Sequence, residues 1–219
     1  MPIATPEQKR LRTTYCNLME EIKLRVFIAG KARNGEYNLP DLPALEFSAL
    51  QLRLICETIS LASLVAHGDD PRAKTNKMKD AYRADWILNA LESMHADFYP
   101  IAGSTHIEHA NGHLEFINYE FDPLPKAELL RIYRKCDEYL HAGDFGSLDN
   151  RHEGELNFKL VEDALPKIAG LLKFHKIKLV APEEELWVWM GGDEPIRAKL
   201  IAPVENYLFE SVSPRAGRD

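Results

Sequence analysis

Cysteine is scarce in this chain of 219 residues: Cys16, Cys56 and Cys136 are odd in number, far apart and form no C-x-x-C pair. Such spacing supports neither a disulfide framework nor a cysteine zinc site, so all three are expected as buried reduced thiols. Also lacking is any run of roughly 18 uncharged apolar residues, the length that a bilayer span needs. The opening MPIATPEQKRLRTTYC carries no apolar core of the signal-peptide kind. These absences lead to the expectation of a cytoplasmic protein with no membrane association. Positive charge is not in excess either, with 27 Lys and Arg against 34 Asp and Glu and a formal net charge of −7. That balance speaks against a broadly basic nucleic-acid or membrane-surface binder and leaves room for a local basic patch. Neither a G-x-x-x-x-G-K-[ST] loop nor a G-x-S-x-G elbow is present, so nucleotide-hydrolysing P-loop chemistry and serine-hydrolase chemistry are not indicated. There is no internal repeat, long low-complexity segment or clear linker.

What is present suits a substantial core, since apolar residues make up 45% of the chain and charged residues 28%. Thr5-Pro6-Glu7-Gln8 has the residues of a capping box with proline at the first helical position. Leu11, Tyr15, Leu18, Ile22 and Val26 then recur at helical spacing, which predicts a helix ending before Gly30. KARNGEYNLPDLPAL reads as a loop. From about Leu45 to His67 the chain is apolar on most of its circumference and stops at Gly68, which predicts a central buried helix. Asp70-Pro71 opens a further predicted helix to about Met94, with Met78, Tyr82, Trp86 or Ile87, Ala90 and Met94 inward and Lys74, Lys77, Lys79 and Arg83 on a positive face. THIEH and HLEFINY, joined by Ala110-Asn111-Gly112, predict a hairpin. KAELLRIYRKCDEYLHAG predicts a helix with Leu129, Ile132 or Tyr133, Cys136 and Leu140 inward and Gly143 as its stop. Another helix is expected from about Glu155 to Phe174, kinked at Pro166. A second hairpin is expected around GGDEP, followed by a frayed tail.

One helical face carries a constellation with chemical meaning. Arg134, Asp137, Glu138 and His141 stand at i, i+3, i+4 and i+7, which stacks four polar side chains along one face. The guanidinium of Arg134 can bind a phosphate bidentately, and His141, titrating near neutrality, can transfer a proton to or from a ribose hydroxyl or a leaving oxygen. Asp137 or Glu138 could orient either of them. The same residues also suit a plain solvated face, with Arg134 and Glu138 paired and His141 placed favourably in the last turn.

RKCDEYLH, from Arg134 to His141, resembles the Arg-x(4–6)-His signature of the HEPN superfamily, and YRKCDEYLHAGDF is similar to the corresponding helix of HEPN-like bacterial proteins. QLRLICETISLASLVAHGD and AYRADWILNALESMHADFYP resemble the preceding helices, so the likeness covers roughly residues 47 to 146. The resemblance implies a mainly α protein, a HEPN-like antiparallel helical bundle with one or two small β-hairpins appended. It implies a homodimer whose paired Arg/His sets cleave RNA without a metal or other cofactor, in a toxin or phage-defence setting with an antitoxin or regulatory protein as a further partner. Two units are expected: residues 1–175 as the helical domain with a hairpin insertion near 104–119, and 176–219 as a C-terminal hairpin and tail packed on it. Catalytic members often have Asn, Asp or His after the arginine, where this chain has Lys135. Lys135 and the acidic balance favour the competing expectation, a non-catalytic HEPN-like module that binds a protein or nucleotide partner.

Other signals have simpler readings. His106, His109 and His113 bracket the first hairpin turn, but strand alternation sends His106 and His109 to opposite faces, so no metal site is expected there. Arg53 and Glu57, inside the apolar helix, can pair at i, i+4, and Arg53 could also line a cleft next to Arg134. His67 reads as a terminal residue compatible with the helix dipole. Trp187 and Trp189 share a strand face as a core or dimer contact, or as a stacking platform for a base. The basic run Lys74 to Arg83 reads as a solvated face that could contact phosphate.

Overall fold

The structure is a computed structural model describing residues 5–140, 157–180, 184–192 and 194–201. The first helix, α1 (Pro6–Arg33), begins with the capping box the sequence predicts: Gln8 N–H donates to the Thr5 hydroxyl at 3.1 Å, and Thr5 N–H donates to the Gln8 side-chain carbonyl at 3.0 Å. The helix does not stop before Gly30. It runs on to Arg33 because Ala29 and Ala32 are buried, and that packing outweighs the roughly 1 kcal/mol that an interior glycine costs. The effective stop is Asn34-Gly35, where Gly35 takes φ +75°, a left-handed conformation that suits glycine.

The next helix, α2 (Asp41–Ala66), occupies the centre. Its buried hydroxyls do not go unsatisfied: Ser48, Thr58, Ser60 and Ser63 each donate to the carbonyl four residues back. An otherwise apolar helix can therefore bury polar side chains without the cost of a lost hydrogen bond. By length and composition α2 is the one described helix able to cross a membrane, and 61% of its most apolar window is buried inside the fold.

After α2 the single helix expected from Asp70 to Met94 is broken in two places. The Asp70 carboxylate accepts from Arg72 N–H and starts a one-turn 3₁₀ segment at Pro71–Lys74; the Thr75 hydroxyl then accepts from Met78 N–H and starts the short α3 (Asn76–Lys79). Each cap competes locally with continuation of the preceding turn. Arg83 is extended before α4 (Ala84–Met94) begins. Tyr82 falls in this break, so helical spacing does not govern it, and it is 70% exposed rather than inward. Ala84, Ile87, Leu88 and Leu91 form the buried stripe of α4.

The last two helices, α5 (Lys126–Leu140) and α6 (Lys159–Leu172), complete the helical part, and α6 contains Pro166. On α5, Leu129, Ile132, Tyr133 and Cys136 are buried, close to the expected stripe; the expected stop at Gly143 lies outside the described residues. The core joins α1, α2, α4, α5 and α6 through Tyr15, Met19, Ile22, Leu52, Ile55, Ile59, Leu88, Leu129 and Ile168.

Both predicted hairpins form, and a strand that the sequence reading missed joins them. The strands are β1 (Ile101–Glu108), β2 (Leu114–Asn118), β3 (Phe174–Lys178), β4 (Glu185–Trp189) and β5 (Arg197–Ile201), in one antiparallel sheet of order β2-β1-β3-β4-β5. β3 crosses the 175/176 junction between the two expected units. His175 and Ile177 turn toward the helices, while Phe174 and Lys176 take the other face, as strand alternation requires. The chain is thus mainly α, with one five-stranded sheet packed at its side.

Candidate active site

On α5, helical spacing places Arg134 and Asp137 on one face, three residues apart. Arg134 is exposed, and its Nε donates to the Leu130 carbonyl of its own helix at 3.2 Å. Among the described residues its guanidinium has no carboxylate partner. The expected pairing with Glu138 does not form, because Glu138 is taken by Lys135 at 3.0 Å. Asp137 points instead to α2 and forms an ion pair with Arg53. His141 lies outside the described residues.

Arg53 is the hub of this site. Its Nε lies 3.2 Å from the Glu57 carboxylate, the expected i, i+4 pair, and one Nη donates to the Tyr133 hydroxyl at 3.0 Å. Its guanidinium carbon sits 4.6 Å from the centroid of the Tyr133 ring, within cation–π distance. One cation therefore ties two helices together through two carboxylates and a phenol. Burial pushes the Tyr133 hydroxyl above its ordinary pKa, an effect that Arg53 opposes and Glu57 and Asp85 reinforce. Asp85 is itself clamped by Arg83, with Nη2 donating at 2.7 Å. Behind the site, burial pushes the Cys136 thiol up to about 12 and the Cys56 thiol well above its ordinary value, so both are inert protonated thiols. Cys16 is only half-buried.

Arg53 reaches α5 through Tyr133 and Asp137, which stand one residue before and three residues after Arg134. The Arg53–Asp137 link was missed in the sequence. Arg53 inside an apolar helix signalled that a partner was needed, but spacing offered only Glu57. Chemically, the face presents one exposed guanidinium for an anion beside a carboxylate held in a fixed position.

The remaining candidates sort themselves by contact. His109 pairs with Glu115 at 2.9 Å and lies 5.6 Å from His113 between ring centroids. His106 is turned toward Phe174, Trp187 and Trp189 instead. Among the described residues no three His, Cys, Asp or Glu side chains gather as a metal-holding group. Trp187 and Trp189 do share a face, joined there by Phe116 and Phe174, and Trp187 is 2% exposed with its indole N–H donating to Glu185 at 2.7 Å. Burial at that level makes Trp187 a packing residue. His67 is terminal as expected, the C-cap residue of α2, and is buried there with its ring nitrogens against the Ser63 and Lys178 carbonyls at 2.8 and 3.2 Å. Family models, curated proteins and solved structures gave no match to this chain.

Proposed function

We propose that this protein is a metal-independent endoribonuclease of HEPN type, a cytoplasmic homodimer built on a HEPN-like helical bundle and working as a toxin or phage-defence effector. The observation that carries the reading is the exposed guanidinium of Arg134, free of carboxylates among the described residues, on the same helical face as an Asp137 anchored by Arg53. Arg134 binds the scissile phosphate and stabilises the charge that builds on it. His141 takes the proton of the ribose 2′-hydroxyl as that oxygen attacks phosphorus, and a histidine returns a proton to the departing 5′-oxygen. Asp137 is a positioning residue that fixes the face through Arg53.

A second reading rests on its own observation. Lys135 holds Glu138 in an ion pair beside the motif, a neutralised arrangement suited to a non-catalytic module that binds a protein or nucleotide. Incubating wild type, Arg134→Ala and His141→Ala with cellular RNA in EDTA separates the two. The ribonuclease yields discrete fragments, and each variant loses roughly 10²–10⁴-fold in rate while remaining folded. Absence of cleavage by wild type transfers the conclusion to the binding module, with an antitoxin or other regulatory protein as its partner.

A further inference from the structure

We infer that the elbow between α3 and α4 is a base-stacking subsite for single-stranded RNA, an inference that rests on the ribonuclease reading and supplies the substrate path for it. The break at residues 80–83 opens a depression of about 150 Å³ lined by Lys77, Asp80, Ala81, Tyr82, Arg83 and Trp86. Two aromatic rings border it. Tyr82 is 70% exposed, which leaves most of a large aromatic ring in solvent. Trp86 is half-buried, and the ammonium of Lys77 lies over its ring, 5.2 Å from the centroid, so a base can use that face only by displacing Lys77 toward the phosphates.

Charge at the elbow runs against that of the whole chain. Of the five Lys and Arg between residues 71 and 83, Arg72, Lys74 and Arg83 pair with Asp70, Glu7 and Asp85, which leaves Lys77 and Lys79 as the cations without a carboxylate among the described residues, in a chain of net charge −7. A polyanion is the complementary occupant, and aromatic rings interleaved with cations are what an unpaired nucleic-acid strand uses: bases stack while phosphates meet ammonium and guanidinium groups. A volume of this size holds one base.

Position connects the elbow to the motif face. α4, which carries Trp86, packs against α5, which carries Arg134 and Asp137. A strand with one base on Tyr82 therefore continues from the elbow toward the helix that carries Arg134. Helical spacing places Tyr82 inward and leaves the lysines as a solvated face that could contact phosphate; the break in the helix brings Tyr82 out beside Lys77.

The test pairs binding with cleavage in the full chain. Binding is measured by fluorescence anisotropy of an end-labelled, mixed-sequence 2′-O-methyl RNA strand in EDTA, which cannot be cut by 2′-hydroxyl attack. Cleavage is measured on the unmodified strand. Tyr82→Ala is expected to weaken binding roughly tenfold, Tyr82→Phe to bind as wild type, and Lys77→Gln to lower the salt-dependence slope by about 0.7. Exposure of both side chains keeps these variants folded. Wild-type binding with all three variants unchanged overturns the elbow, and loss of cleavage in His141→Ala would then still uphold the ribonuclease. Binding that depends on Tyr82 and Lys77 without any cleavage upholds the elbow and overturns the ribonuclease. No binding by wild type overturns the elbow outright.

Discussion

Arg53 and Tyr133 face each other across α2 and α5 in two ways at once, with the guanidinium 4.6 Å from the ring centroid and one Nη donating to the phenol oxygen at 3.0 Å. Glu57 and Asp137 take the rest of the fork. Replacing Arg53 by Met leaves two carboxylates without their cation at side-chain exposures of 19% and 38%. Partial exposure lets water soften that loss, so the expected destabilisation is about 1–3 kcal/mol. Arg53→Lys is expected to recover little, since one ammonium cannot reach three acceptors held in a planar fork. Urea denaturation reads the effect as a lower midpoint with an unchanged slope. A midpoint equal to wild type would show that the hub contributes no stability.

His175 brings pH into the fold. Its Nδ1 lies 3.0 Å from the Leu172 carbonyl, which only accepts, so Nδ1 carries the proton and Nε2 accepts from the Tyr15 hydroxyl at 2.7 Å. The neutral ring is fully satisfied, and burial pushes its pKa from 6.5 down to about 4. Between those values the unfolded chain binds a proton that the folded chain refuses, so stability falls as pH drops from 6.5 toward 4 and levels below it. The full window corresponds to about 3 kcal/mol. Burial shifts His67 in the same direction, adding to the slope, whereas Glu128, held at about 2 by Arg131 and Lys167, loses its contribution only at lower pH. His175→Gln is expected to be less stable at pH 7 and to flatten the urea midpoint between pH 6.5 and 5. An unchanged slope in the variant would assign the acid sensitivity elsewhere.

These examples show which parts of the molecule were legible in the sequence. The capping box at Thr5, the buried span of α2, the stripe of α5 and the Asn111-Gly112 turn are local, and local chemistry decides them. Three features were hidden, two by distant packing and one by local caps inside a helical pattern. The end of α1 was decided by Ala29 and Ala32 packing beyond Gly30, and the break at residues 80–83 followed caps at Asp70 and Thr75 inside an apparently continuous pattern. β3 was hidden because Phe174–Lys178 directly follows α6 and mixes apolar and basic residues on each face, so that only its neighbours β1 and β4 set which face is buried. Of the site, the constellation on α5 was visible, but the Arg53–Asp137 contact spans residues far apart in the chain and no spacing rule reports it.

Gly103 marks a close approach that no side chain could share. A Cβ there would collide with the Phe116 ring and lie 2.8 Å from Cδ1 of Phe174, whose rings pack with centroids 4.7 Å apart across β1. Gly103→Ala is expected to cost about 1–3 kcal/mol through forced displacement of both rings, with a weakened near-ultraviolet dichroism signal from the Trp187–Trp189 cluster. Phe116→Ala removes the closer obstacle and opens space into which Phe174 can shift, so adding Gly103→Ala to it should cost less than Gly103→Ala alone. Simple additivity of the two losses would mean that the contact does not govern this part of the sheet.

Asp137 and Glu138 separate a positioning role from a merely neighbouring one. Both are acidic, both lie on the face of Arg134, and sequence reasoning offered them as equals. Their contacts differ: Asp137 reaches across to Arg53 on α2, while Glu138 pairs with Lys135 on its own exposed helix surface. An exposed pair of this kind is worth less than about 1 kcal/mol, and losing it moves nothing else. Asp137→Asn weakens the tie between α5 and α2 and lets the motif face shift, which a reaction sensitive to sub-ångström placement registers in turnover. For the ribonuclease, Asp137→Asn is therefore expected to lower kcat by about tenfold or more with KM near wild type, together with a lower urea midpoint, while Glu138→Gln stays within about twofold in both. Arg53→Lys should reproduce the Asp137→Asn pattern, because both variants act on the same contact. Steady-state kinetics on a defined RNA strand decides the matter, and a Glu138→Gln enzyme as impaired as Asp137→Asn would assign the orienting role to Glu138 instead.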